Sequence, residues 1–386
     1  MITNYSKLLG SLHSYKRIDG LTHNYYKYPA RFSPEFAKEI ILEFTSENDW
    51  VFDTFMGGGT TIVEALANGR NSLGIDINPL SHFITKVKTT PLSQRDEEII
   101  LKWAEDINFD IPIKGNDSVL NDSRLINLPK KIKKSLLSAS ASVDALPLPR
   151  QRNFARCSLL CLGQWAIDCR RDILPSVQWK YRLNNQVKDM MVGLNDLIKG
   201  IKHYRVPKNK ITSRRILYLG SVQKAFNDEN IIKLGLRPKL VLTSPPYPGV
   251  HILYHRWQVE SRRETPAPFW IANLWDGNGE SHYTMGSRSL FGLKNYFFRL
   301  TEIFSILRNA LETCSVVVQL AAFSDPDTQV PSYLQAMKNA GYKEMTPLST
   351  LRSKRPIRKV PNRKWYTQSP KNQHSSYEFL FFHKPI

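Results

Sequence analysis

Two kinds of apolar patterning alternate along this chain. Short unbroken apolar runs read as buried strands, and stretches with apolar residues every three or four positions read as amphipathic helices. Residues 49–53 (Asp-Trp-Val-Phe-Asp) are a run of the first kind, ending in the acid Asp53. A tight turn follows through Phe55, Met56, Gly57, Gly58 and Gly59. Residues 60–68 then carry helical spacing at Ile62, Ala65 and Leu66, closed by Gly69. Residues 71–76 are a second strand-like run with an acid, Asp76, at its end. Residues 215–221 read as a strand and turn. Leu240, Val241 and Leu242 form a buried strand that opens after Thr243 into Ser244, Pro245, Pro246 and Tyr247. Beyond it lie a long helix over 293–311, a buried strand over 314–322, a helix over 333–340 capped by Gly341, and a final strand over 376–383. This succession predicts an α/β fold, a twisted, mainly parallel sheet with helices on both faces.

Far more chain separates Asp53 from Leu242 than an alternating sheet needs between its first and fourth strands. Residues 95–208 therefore read as an insertion. Within it, 120–148 is rich in Lys and Ser, runs into the Leu-Pro-Leu-Pro of 146–149, and is expected to be a loop or hinge. Residues 153–202 have helical periodicity (Leu159, Leu160, Leu162, Trp165; then Val187, Met190, Met191, Leu194, Leu197, Ile198, Ile201), interrupted at Pro175. The insertion is expected to be mostly helical.

The strand, glycine turn, helix and acid-tipped second strand form a nucleoside-binding unit in which the acid grips ribose hydroxyls and the turn admits the ligand to the backbone. Taken alone, a glycine turn is equally a helix cap or hairpin turn. The dinucleotide fingerprint would place glycine where Ile62 stands, and no Lys follows the glycines as a phosphate loop requires. S-adenosylmethionine carries a carboxylate and no phosphate, and it fits such a turn. At the other site, two consecutive prolines fix φ and remove two N–H donors, leaving carbonyl acceptors, with a hydroxyl before them and an aromatic face after them. The bland alternative is a rigid loop between strand and helix.

Together these motifs resemble those of the amino-group DNA methyltransferases. Ser244-Pro245-Pro246-Tyr247 is similar to that family's Asp/Asn/Ser-Pro-Pro-aromatic loop, in the Ser form most typical of the cytosine-N4 branch. The segment from Asp53 through Phe55, Gly57, Gly59 and Thr60 is similar to the cofactor motif, with Asp76 matching the ribose-binding acid. Residues 28–34 resemble the segment that closes over the methionine end of the cofactor, where Phe32 and Ser33 would line the pocket. Where relatives often place an acid to meet the adenine amine, this chain has Ser221. The resemblance covers roughly 20–90 and 212–386. It implies a Rossmann-like S-adenosylmethionine-dependent methyltransferase with a mainly parallel seven-stranded sheet. Residues 1–94 would be the cofactor-binding half, 95–210 the basic helical insertion that reads the target, and 211–386 the catalytic half with a basic C-terminal segment.

Charge strengthens the case for a polyanionic partner. The formal net charge is +20. Residues 121–215 hold twenty Lys/Arg against six Asp/Glu, and 351–371 hold eight Lys/Arg and no acid, so the excess is confined to two segments. The Trp- and Arg-rich loop 251–291 is a further candidate for reading DNA. Four cysteines make no disulfide framework; Cys157, Cys161 and Cys169 lack the spacing of a zinc site and are expected to be buried reduced thiols. No apolar stretch of about eighteen residues and no apolar leader core is present, so a cytoplasmic protein is expected.

The resemblance implies methyl transfer from S-adenosylmethionine to the N4 amine of a flipped cytosine in double-stranded DNA. Ser244 and the Pro245 carbonyl would accept from the amine and Tyr247 would stack on the base, in a setting that includes a cognate restriction endonuclease. Adenine-N6 methylation of DNA is the nearest rival. Guanine-N2 methylation of RNA and a DNA-binding protein without catalysis are further alternatives. The reading requires the glycine turn and the proline corner to meet at neighbouring strand tips.

Overall fold

A computed structural model describes residues 5–14, 19–28, 33–110, 120–248, 256–260, 263–276, 285–287, 289–345, 355–359 and 377–386. Its central sheet has strands β1 (Trp50–Asp53), β2 (Asn71–Asp76), β3 (Arg215–Leu219), β4 (Pro238–Thr243), β7 (Val316–Ala322), β8 (Tyr342–Glu344), β9 (Ile357–Lys359) and β10 (Tyr377–Pro385). A separate two-stranded hairpin consists of β5 (Trp257–Val259) and β6 (Arg263–Thr265). The sheet order is β3-β2-β1-β4-β7-β10-β8. The first five strands on that path run parallel, and β10 runs antiparallel to β7 and β8. This is the Rossmann-like, mainly parallel arrangement expected, with one strand more. β9 comes from the basic 351–371 segment and pairs with the start of β10. Its Ile-Arg-Lys sequence has no strand pattern; backbone pairing with β10 recruits it, together with the Arg358–Glu378 ion pair across the two strands.

The parallel strands read as continuous apolar runs because both faces are covered. Alternate residues feed two cores. Phe52, Leu73, Ile75, Val241, Val317, Ala321 and Phe381 pack against helices Leu290–Arg308 and Pro326–Asn339. Val51, Leu240, Leu242, Val318, Leu320 and Phe382 pack against helices Tyr5–Leu12 and Pro34–Phe44. Strand order reverses between β1 and β4, and in open α/β sheets such a reversal opens a ligand crevice at the carboxyl ends of the strands.

Between β2 and β3, the helices Gln94–Asp106, Pro149–Ala166 and Trp179–His203 form the expected helical insertion, with Pro175 just ahead of the third. The 120–148 stretch departs from expectation: Lys130–Asp144 is a helix. Ile132, Leu136, Ala139 and Val143 line its buried stripe at steps of three and four, a periodicity hidden in the sequence by intervening Lys and Ser. Pro149, the residue after that stretch, starts the next helix, where its missing N–H costs nothing. The insertion shares one core with helices Thr60–Ala67 and Pro79–Lys88 of the nucleoside unit. Cys157 and Cys161 are buried in that core, but Cys169 is exposed, correcting the expectation for it; it follows the end of helix Pro149–Ala166 with φ +57°.

Candidate active site

Each functional loop sits at the carboxyl tip of a strand. β1 and β4 are direct parallel neighbours, so Asp53 and Thr243 end side by side. The Thr243 hydroxyl donates to Asp53 Oδ1 at 2.8 Å, and Thr243 Oγ1 accepts from the Phe55 N–H at 3.2 Å and from Thr54 Oγ1 at 3.3 Å. The glycine turn and the proline corner therefore meet at neighbouring strand tips, as the sequence reading required. The link between them, Thr243, reads in the sequence only as the last residue of a buried strand; a polar residue closing an apolar run is its signal.

The turn is held from several sides. Met56 N–H donates to Ile75 O at 3.0 Å and Gly59 N–H to Met56 O at 2.8 Å. Gly57 and Gly59 have φ of +49° and +74°. At Gly59 a Cβ would also lie 2.4 Å from Thr85 Oγ1, so both backbone and space demand glycine there. Asp76 accepts from Gly57 N–H at 2.7 Å and from Asn78 N–H at 2.8 Å, which pins the turn to β2. Lys88, fully buried, donates from Nζ to Gly58 O at 2.6 Å; nothing in its local sequence distinguishes it from a solvated helix lysine. Tyr28 packs on the turn, its Cβ 3.0 Å from where a Gly58 Cβ would stand. Tyr28, the first residue of the 28–34 segment, thus lies against the glycine turn, whereas residues 29–32, with Phe32 among them, lie outside the described residues. Ser33 caps helix Pro34–Phe44, accepting from Phe36 N–H at 3.1 Å. Ser221 is likewise a helix cap.

Burial raises the Asp53 carboxyl to about 6, against the lowering pull of the Thr243 and Thr61 hydroxyls and the Phe55 N–H. Burial also raises Asp76 to about 6, against backbone N–H groups of Asn78 and Gly57. Two acids poised near neutrality, one beside the other, suit a site that receives positive charge.

At the proline corner, the half-buried Ser244 donates its hydroxyl to Leu320 O at 2.8 Å. Its proton is engaged with β7, and its lone pairs remain for a donor in the cleft. Pro245 is buried and Pro246 half-buried. Tyr247 is 7% exposed, and its hydroxyl donates to Glu378 Oε1 at 2.5 Å.

The chain just past the corner is clasped by the insertion. Trp257 is fully buried against Gly163, where a Cβ would lie 2.2 Å from the indole ring, and its Nε1 donates to the Tyr26 hydroxyl at 3.1 Å. Gln258 N–H donates to Asp168 Oδ1 at 3.0 Å, Arg156 Nη1 to Ile271 O at 2.9 Å, and Arg124 Nη1 to Leu274 O at 2.8 Å.

Residues 4–86 match the model of a protein family described as DNA methylase. By that segment the chain is similar to the amino-group methyltransferases. It is 48% identical over 75 residues to Type II methyltransferase M.MvaI of Kocuria varians, a stretch covering 19% of this chain and 16% of that protein. Against Type II methyltransferase M.BsoBI of Geobacillus stearothermophilus, identity is 40% over 84 residues, 22% of this chain and 16% of that one. DNA adenine methyltransferase YhdJ of Escherichia coli K12 is 35% identical over 75 residues, 19% of this chain and 26% of its own. The shared stretch thus spans about a sixth of the first two relatives. Among solved structures, the rRNA methyltransferase aviRa of Streptomyces viridochromogenes covers 83% of this chain and 82% of its own at 12% identity; its TM-score is 0.28.

S-adenosylmethionine is the cofactor of such a segment, and the residues here fit it. Asp76 ends β2 as the acceptor a ribose diol needs. Gly57 and Gly59 leave the turn open to backbone approach. The buried Thr60 Oγ1 and Asn78 Nδ2 have no hydrogen-bond partner among the described residues, and each lies beside the turn or the acid. Buried polar atoms left unpaired in the protein are ones a ligand can satisfy.

Proposed function

We propose that this chain is a DNA methyltransferase acting on the exocyclic N4 amine of cytosine. The observation that carries the proposal is the corner's hydrogen bonding. Ser244 spends its proton on Leu320 O, so toward the cleft it can only accept, as can the carbonyl of Pro245. An amine conjugated to a base ring is a poor nucleophile. Acceptors around its N–H groups draw the lone pair out of conjugation and stabilise the charge that develops on nitrogen. When bound, S-adenosylmethionine would supply a methyl on a sulfonium: the amine nitrogen bonds to that carbon, the carbon–sulfur electron pair stays with sulfur, and the amine's proton leaves to water. Asp53 and Asp76, ionised above about pH 6, favour that cation on the other side of the cleft.

A base within a duplex cannot reach this corner, so the target nucleotide is extruded. Charge placement supports a duplex partner. Lys130, Lys131 and Lys134 stand exposed in the first turns of helix Lys130–Asp144, the end where the macrodipole disfavours cations. Such an arrangement costs stability alone and gains against a polyanion. Trp275, 70% exposed with the Arg124 guanidinium 4.1 Å from its ring centroid, adds a stacking surface on the segment past the corner. We assign target reading to this segment and the insertion jointly, and protection against a cognate restriction endonuclease as the setting.

Expression in a methylation-free host, followed by digestion of its genome to nucleosides and mass spectrometry, tests the proposal. N4-methylcytosine is expected. N6-methyladenine would move the assignment to the adenine branch, and an unmodified genome would refute DNA methylation. Cleavage of that genome by endonucleases of the mapped sequence tests the protective role.

A further inference from the structure

A buried charge pair stands behind the proline corner and takes no part in the chemistry above. Glu378, in β10, lies opposite Ala322 at the end of β7, at the same edge as the functional loops. It is 6% exposed. Its Oε1 receives the Tyr247 hydroxyl at 2.5 Å, and its Oε2 is 3.6 Å from Arg358 Nη1. Arg358 faces it directly across β9 and β10 and is equally buried. Among the described residues, Glu378 Oε2 and Arg358 Nε make no hydrogen bond, so the short contact of this carboxylate is the one to Tyr247. A carboxylate withdrawn from water persists only with compensating partners, and these partners are a guanidinium and one phenol.

Tyr247 directly follows two residues of fixed φ. Anchoring its hydroxyl anchors the ring, and with it the carbonyls and hydroxyl of the corner. Resting on the proposed function, we infer that Glu378, supported by Arg358, is a positioning residue: it holds Tyr247 so that Ser244 and Pro245 meet the target amine. The strand carrying Arg358 belongs to the basic 351–371 segment, so part of that segment's charge is invested in the corner. Arg355 is also committed internally, to Glu344 at 2.7 Å.

The test measures methyl transfer from tritiated S-adenosylmethionine to unmethylated genomic DNA by wild type, Tyr247→Phe, Glu378→Gln/Arg358→Leu, and the paired Glu378→Leu/Arg358→Leu. The pair is replaced together because a lone buried charge would confound folding. Tyr247→Phe and the paired variant are each expected to lose roughly ten- to a hundred-fold in kcat, the scale of an ångström of misplacement. KM for S-adenosylmethionine should stay within about twofold on that account, because the cofactor turn is untouched. Glu378→Gln with Arg358→Leu keeps an acceptor for the phenol without leaving a lone buried charge, and should recover most of the kcat that the paired leucine variant loses. Adding Tyr247→Phe to the paired variant should cause no further loss. Wild-type kcat in Tyr247→Phe or in a folded paired variant, or losses that multiply in the combination, would overturn the positioning role while leaving the proposed function intact. If the wild-type protein itself transfers no methyl to DNA, the proposed function falls and this inference with it.

Discussion

Replacing Thr243 by Val tests the joint between the two loops most directly. Thr243 is completely buried, and its hydroxyl is shared among Asp53, the Phe55 N–H and Thr54. Valine keeps the shape and removes the hydroxyl, so Asp53, 3% exposed, loses a hydrogen bond to its charged form. Such a bond contributes about 1.5–3 kcal/mol. The better transfer of a methyl into the core offsets part of this, leaving a net loss of about 2 kcal/mol with Asp53 ionised. The loss has a pH signature. Asp53 titrates at about 6 in the folded protein, above its unfolded value of 3.8, so the native state binds the extra proton and stability falls as pH rises through that window. Removing the Thr243 hydroxyl, which lowers this carboxyl, moves the folded value further up and carries the fall to higher pH. Denaturant unfolding at pH 5, where Asp53 is mostly protonated in both proteins, should show a difference well under half of that at pH 8. Equal differences at the two pH values, or no loss at pH 8, would refute the assignment of Thr243 as partner to a buried ionised acid.

Cofactor binding should share this window. With Asp53 and Asp76 both at about 6, affinity for S-adenosylmethionine should fall below pH 6 by roughly tenfold per unit for each acid that must be ionised, approaching a hundredfold for both, and calorimetry at pH 6 should detect proton release on binding; a flat affinity from pH 5 to 7.5 would exclude both acids as partners of the cation. Gly59→Ala combines a φ of +74° with a Cβ 2.4 Å from Thr85 Oγ1, and should cost about 1–3 kcal/mol in thermal unfolding, partly restored by adding Thr85→Ala. Gly163→Ala should raise helix propensity by about 1 kcal/mol yet still lower the melting temperature, because its methyl collides with the Trp257 ring. That variant should lose DNA methylation with S-adenosylmethionine affinity within about twofold; a parallel fall in both would show that the clasp supports the whole fold and not the segment past the corner.

The chain's own pattern determined a good deal. Parallel strands buried on both faces must be continuous apolar runs, so β1, β4 and β7 announce themselves, as do Gly57 and Gly59, whose backbone conformations L-residues avoid. The acids at strand ends and the double proline are local features with local chemical meaning. What folding alone decided are relations between residues distant in sequence. Thr243 meets Asp53 because β4 inserts beside β1 across 190 positions, and no local pattern encodes that neighbour. Lys88 is buried because helix Pro79–Lys88 ends beneath the glycine turn, although its sequence reads as a solvated face. Lys130–Asp144 is a helix because a core elsewhere in the insertion offers its thin apolar stripe a surface, and Tyr247 is tied to Glu378 because the last strand returns antiparallel to the same sheet edge. Propensity and periodicity are short-range properties, whereas partners, burial and the acidity of carboxyl groups are set by whatever the tertiary fold brings within a few ångströms.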